Sequence, residues 1–118
     1  MNKQDSFKLE NKSIDEIKKV SQEKKFAITS PLFYEGQIPI VAYLLLEGCI
    51  QLLKNKKIKK ILKPGSLIGL SELMSNTPAK LSAQVQADST VCYLDRSTIQ
   101  EMIKEEGSDL ASILKEDA

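Results

Sequence analysis

From Phe26 onward the chain breaks into short apolar segments separated by turn residues, at intervals of roughly eight to twelve residues. This texture constrains the fold more than any other feature. Each segment is too short to bury itself, and a series at this spacing makes a sandwich or a barrel. The segments are residues 26–28, 32–34, 41–46, 49–54, 58–63, 83–87 and 90–94. Glu35-Gly36-Gln37, Glu47-Gly48, Asn55-Lys56-Lys57, Pro64-Gly65 and Asp88-Ser89 read as the turns between them.

The two ends have a helical period instead. Residues 1–11 are polar and are expected to fray. Ser13-Ile14-Asp15-Glu16 has the form of a capping box, and Ile14, Ile17 and Val20 follow as one apolar stripe. After Ile68-Gly69, residues 71–74 suffice for a single helical turn. From Ser97, a plausible N-cap with Glu101 behind it, the stripe Ile99, Met102, Ile103 predicts a helix that Gly107 stops. Ser108 or Asp109 would then start another, carrying Leu110, Ile113 and Leu114. The expected plan is a polar segment and helix over residues 1–24, then a β-rich domain with C-terminal helices over residues 25–118. The fold class is β-rich α+β.

At 118 residues the chain fits one domain, and a hydrophobic share of 42% lets it build a core without disulfides or metal. Seventeen basic and 16 acidic residues leave a net charge of +1, with no global attraction to nucleic acid or anionic lipid. Histidine is absent, which removes the commonest general base, histidine-based triads and histidine-containing zinc sites. No catalytic residue, metal ligand or cofactor is expected. Cys49 and Cys92 sit in apolar stretches and read as buried free thiols. Residues 1–24 lack a signal-like apolar run, and the longest apolar run, 38–46, is too short for a bilayer. The expected address is therefore the cytoplasm, with no membrane contact.

Residues 26–103 resemble the cyclic nucleotide-binding family, typified by the effector domain of the catabolite activator protein. The resemblance rests on Phe33-Tyr34-Glu35-Gly36, Tyr43-Leu44-Leu45-Leu46-Glu47-Gly48-Cys49-Ile50-Gln51-Leu52, Leu62-Lys63-Pro64-Gly65-Ser66-Leu67-Ile68-Gly69, Ala83-Gln84-Val85-Gln86-Ala87 and Tyr93-Leu94-Asp95-Arg96. It implies a jelly-roll, or double-stranded β-helix, and places the family's phosphate-binding cassette from Gly69 onward. In the family a glutamate directly after that glycine binds the ribose hydroxyl, and an arginine pairs with the phosphate. The matching positions here are Leu70 and Leu81. Two charge-assisted hydrogen bonds are worth about 3–6 kcal/mol, roughly 100-fold to 10,000-fold in affinity, so binding by the usual route is not expected.

The residues a ligand would meet in such a cassette are Gly69, Leu70, Ser71, Glu72, Lys80, Leu81 and Ser82. Lys80 faces away if the strand already runs through it and reaches in if the strand starts later. Glu72, in the first helical turn, would repel a phosphate. Leu70 and Leu81 together suggest a pocket closed by apolar packing, or one remade for a more apolar ligand. The lysine-rich stretch 54–60 straddles a hairpin tip without interleaved aromatics, which reads as solvated edge rather than nucleic-acid contact. The C-terminal stripe caps the domain or pairs it with a protein partner or a second copy. The resulting expectation is a non-enzymatic regulatory or adaptor domain that works through protein contact at the terminal helices. The alternative is a small-ligand sensor using the cassette.

Overall fold

The computed structural model describes residues 5–104 and 110–113. In chain order its elements are β1 (Ser6–Lys8), α1 (Asn11–Val20), β2 (Gln22–Phe26), β3 (Ser30–Phe33), β4 (Ala42–Glu47), β5 (Ile50–Lys54), β6 (Lys57–Leu62), β7 (Ser66–Ile68), α2 (Leu70–Ser75), β8 (Ser82–Val85), β9 (Ser89–Leu94) and α3 (Arg96–Ile103). Residues 110–113 are also helical. The strands form a five-stranded sheet in the order β1-β7-β4-β9-β2 and a four-stranded sheet in the order β3-β8-β5-β6. All pairings are antiparallel. Among the described residues, only β5 and β6 are neighbours both in the chain and in a sheet. The result is the expected β-rich jelly-roll with helices at its flanks.

Two layers of core follow from the strand alternation. Leu44 of β4, Leu67 of β7 and Cys92 and Leu94 of β9 face the helices, where they meet Ile17 of α1, Ile99 of α3 and Leu110. The alternate residues Leu45, Ile68 and Val91 face the second sheet, where they meet Ile50, Leu52, Ala83 and Val85. β4 is therefore buried on both faces, which is why its sequence is a continuous apolar run rather than an alternating one.

Several local expectations are corrected. Residues 6–8 pair with β7, Ser6 opposite Ile68, and Leu9 N donates to the Gly65 carbonyl oxygen at 2.9 Å. That anchor starts α1 at Asn11, two residues before the expected box, so Ser13 lies inside the first turn. The N-cap is Glu10, with no side-chain capping bond. The strand expected at residues 26–28 lies earlier, at the polar β2, where pairing with β9 overrides its own weak strand pattern. β7, absent from the expected segments, is three fully buried residues. Cys92 is buried, but Cys49 is only partly so. The expected stop at Gly107 and start at Ser108 or Asp109, and Leu114, lie outside the described residues.

The N-cap of α3 is Asp95 rather than Ser97. Its backbone keeps the extended conformation of β9, and its carboxylate accepts from Thr98 N at 2.8 Å. That bond, followed by the Thr98 side chain, holds the Asp95 carboxyl below its ordinary range. A lowered carboxyl contributes stability above its unfolded pKa and loses it as pH falls through the folded one. Asp95→Ala is thus expected to lower the denaturant midpoint at neutral pH. The gap to the parent should narrow as pH falls through the lowered pKa of Asp95, where its carboxylate is lost.

Candidate ligand site

Gly69 turns the chain from β7 into α2 with φ at 80°, a left-handed conformation that favours glycine. A Cβ there would lie 3.4 Å from the Val41 carbonyl oxygen and 3.7 Å from Ala42 Cα, so the turn is pressed against β4. Leu73 N donates back to the Gly69 carbonyl oxygen at 2.9 Å. Leu70 and Ser71, next in line, are 1% and 2% exposed. Leu70 packs downward into the helix-side core with Leu67, Leu73 and Ile99. Leu70 and Leu81 do not converge on one pocket, as the sequence suggested, because α2 begins at Leu70 and aims that side chain beneath the turn.

Leu81 does face the cassette. β8 begins at Ser82, and the two-residue alternation that buries Ala83 and Val85 also turns Leu81 toward the core between the sheets. Asp5, Glu72 and Lys80 border a hollow of about 260 Å³ with Thr77 and Pro78, and where Leu81 closes over Phe33, Leu52 and Ala79 the space left is about 10 Å³. That is about the room one water needs, against roughly 300 Å³ or more for a small-molecule pocket. Phe33 is held in place by the aromatic run behind it. Its ring centroid is 6.2 Å from that of Tyr43, which meets Tyr93 edge-on at 5.4 Å. Gly36 N donates to the Ala79 carbonyl oxygen and Ala79 N to that of Gln37, each at 2.8 Å, so the loop after β3 is stitched to the segment carrying Lys80 and Leu81.

Ser82 is not part of this space. Its hydroxyl points to the outer face of the four-stranded sheet and accepts from Glu35 N at 2.9 Å. There it lines a separate cleft of about 450 Å³ with Pro31, Tyr34, Leu53, Asn55 and Gln84. Glu35, which also lines the cleft, is paired with Lys54, Nζ to Oε2 at 2.7 Å, and the hydrogen bond from Lys54 holds the Glu35 carboxyl below its ordinary range. Of the seven expected residues, then, Glu72, Lys80 and Leu81 line the cassette space, while Gly69 makes the turn into α2 and Leu70 and Ser71 are buried in its first turn and do not line that space. Ser82 belongs to the outer cleft. The sequence offered one signal for that cleft, the lysine hairpin, but no way to see its walls. The groups that make them are spread from Pro31 to Gln84.

The arrangement of glycine turn, short helix and β8 invites comparison with known proteins. The model of the cyclic nucleotide-binding domain family matches residues 23–106, well over half of the chain. The chain belongs to the cyclic nucleotide-binding domain family. No curated protein matches it in sequence. Among solved structures, this cyclic nucleotide-binding domain is similar to a protein of a bacterial cyclic-GMP-dependent signalling pathway that regulates phytopathogenesis. The identity is 19% and the TM-score 0.79, over 92% of this chain and 90% of the other. It is similar to the catabolite activator protein of Thermus thermophilus at 22% identity and a TM-score of 0.74, over 92% of this chain and 53% of the other. The regulatory domain of a Toxoplasma gondii kinase with cAMP follows at 23% identity and a TM-score of 0.65, over 79% of this chain and 37% of the other. At these identities the likeness concerns the fold. The domain spans about half the length of the Thermus protein.

Among the described residues of this cyclic nucleotide-binding domain, no cluster of histidine, cysteine, aspartate and glutamate could hold a metal ion. No described helix is long and apolar enough to cross a membrane. The expected C-terminal stripe is turned inward. Ile99 is fully buried, and Met102, Ile103 and Ile113 pack on the helix-side core.

Proposed function

We propose that this domain is a non-enzymatic cytoplasmic regulatory or adaptor module that does not take a cyclic nucleotide by its family's usual contacts and acts through contact with other proteins. The observation that carries this reading is the space of only about 10 Å³ that Leu81 leaves against Phe33, Leu52 and Ala79, at the position where the family places a phosphate-binding arginine. Leu70 stands where the family's glutamate would bind ribose, and it is committed to the core. Asp5 and Glu72 outnumber Lys80 at the rim, which leaves a net negative charge where a phosphate would have to enter. A partner or second copy meeting the terminal helices would find their polar side, including Gln100, Glu101 and Lys104, because the apolar stripe is spent on the core.

Thermal unfolding with millimolar cyclic AMP, cyclic GMP and cyclic dinucleotides, each in turn, tests the reading. A ligand present at about a hundred times its Kd would stabilise the domain by about 2.7 kcal/mol, several degrees in Tm. The expected result is no shift with any of them. A saturable shift with one would make the domain a sensor and overturn the proposal.

A further inference from the structure

The outer face of the four-stranded sheet carries residues that the fold does not need there. Across β3, β8, β5 and β6 the register aligns Pro31, Gln84, Gln51 and Ile61 in one row, and Ser82, Leu53 and Ile58 in the next. An antiparallel sheet with one face in water is normally polar on that face. Here Ile58 and Ile61 are 51% and 57% exposed, Leu53 lies between them and the cleft of about 450 Å³, and Tyr34 at its lip is 59% exposed. Lys56 lines the cleft, Lys57 and Lys59 flank Ile58 in the chain, and among the described residues none of the three makes an ion pair.

Two features decide what can cover this face. β6 bulges at Lys59, where Leu52 opposes Lys60 but Leu53 opposes Ile58, and a bulged, lysine-rich edge resists the addition of another strand. The occupant therefore lies across the face rather than beside its edge. A second copy would bring a second set of the same lysines into the contact, so the face favours a partner of opposite charge. We propose that this face docks an acidic amphipathic helix of another protein. Apolar side chains of that helix, at helical spacing, would cover Ile58 and Ile61 and enter the cleft at Leu53 and Tyr34. Its carboxylates would meet Lys56, Lys57 and Lys59. The inference rests on the reading above that the domain works through protein contact, and it names the surface and the partner's chemistry.

The test titrates the full, isotope-labelled chain with a synthetic peptide bearing leucine at helical spacing and glutamate elsewhere. The same peptide with lysine for glutamate serves as control. Expected are amide shifts confined to residues 31–35, 51–61 and 82–84 with the glutamate peptide alone. Ile58→Ser with Ile61→Ser should weaken binding by about tenfold or more. These side chains are exposed, so Tm should stay in place. K56E/K57E/K59E should reverse the preference between the peptides. Equal binding of both peptides, shifts centred elsewhere, self-association through this face, or preference for phosphatidylserine vesicles over the glutamate peptide would overturn the inference. Cyclic nucleotide added to the same sample separates the two ideas. Shifts at residues 69–81 on adding the nucleotide would overturn the proposed function, whatever the peptide does at the sheet face.

Discussion

Leu44→Ala is expected to lower the unfolding free energy by about 3–5 kcal/mol, the upper part of the range for buried leucine truncations. Leu44 is fully buried at the centre of the five-stranded sheet, opposite Leu67 on one side and Cys92 on the other. How much a truncation costs depends on how far its surroundings can collapse into the space. Around Leu44 they cannot move far. Both neighbouring strands are fixed by their hydrogen bonds, and Ile17 and Ile99 press from helices anchored at their own ends. At about 4 °C or more per kcal/mol for a domain of this size, Tm should fall by about 12 °C or more. Differential scanning calorimetry reads the shift directly. A change under about 1 kcal/mol would mean that the two-layer core is looser than its packing indicates.

Gly48→Ala should come close to the same size, about 2–5 kcal/mol, by a different route. Gly48 has φ at 89°, where an L-residue costs about 1–2 kcal/mol. The added Cβ would also lie 2.7 Å from Ser89 Cα, and a backbone atom cannot rotate out of the way. Overpacking of this kind costs about 1–3 kcal/mol. The displaced strand start carries its own hydrogen bond. Cys49 N donates to the Ser89 hydroxyl at 3.0 Å, and Ser89 is fully buried. Urea unfolding measures the loss. If the cost matched only the backbone strain, the β9 start would be shown to yield, and Ser89→Ala would then be nearly silent.

How much of this was legible in the sequence depended on where each segment's identity was decided. β4, β5, β8 and β9 could be read because their apolar residues face a core, and the pattern is written in their own residues, while β6, with Ile58 and Ile61 exposed, was marked by the turn at Asn55-Lys56 that joins it to β5. β1 and β2 could not. Gln22 to Lys25 are exposed and mostly charged, and they are strand only because β9 offers an edge to pair with. The cap of α3 was displaced because Asp95 ends a strand and starts a helix in one step, which a search for serine before a stripe misses. At the candidate site, the substitutions at 70 and 81 could be read, but their directions could not. Both are leucine, yet one opens a helix and the other comes just before a strand, so the first joins the helix-side core and the second closes over Phe33, Leu52 and Ala79. The outer cleft stayed out of reach because Pro31, Leu53 and Gln84 become neighbours only through strand pairing.

The single adjacent hairpin in the topology has a consequence for how the molecule comes into being. Apart from β5 with β6, every pairing joins strands distant in the chain, such as Ser6 with Ile68, Gln22 with Tyr93 and Ser30 with Val85. Loops of that length must close before their contacts give anything back, so folding belongs to the slow class, on the order of milliseconds to seconds. The β5–β6 hairpin escapes that delay. Its two-residue turn at Asn55-Lys56 has φ of 52° and 67°, the positive values of the turn that matches strand twist, and isolated hairpins close in about 1–10 μs. The element that presents Ile58, Ile61 and the lysines is thus the one able to form earliest, before the sheet that supports it exists.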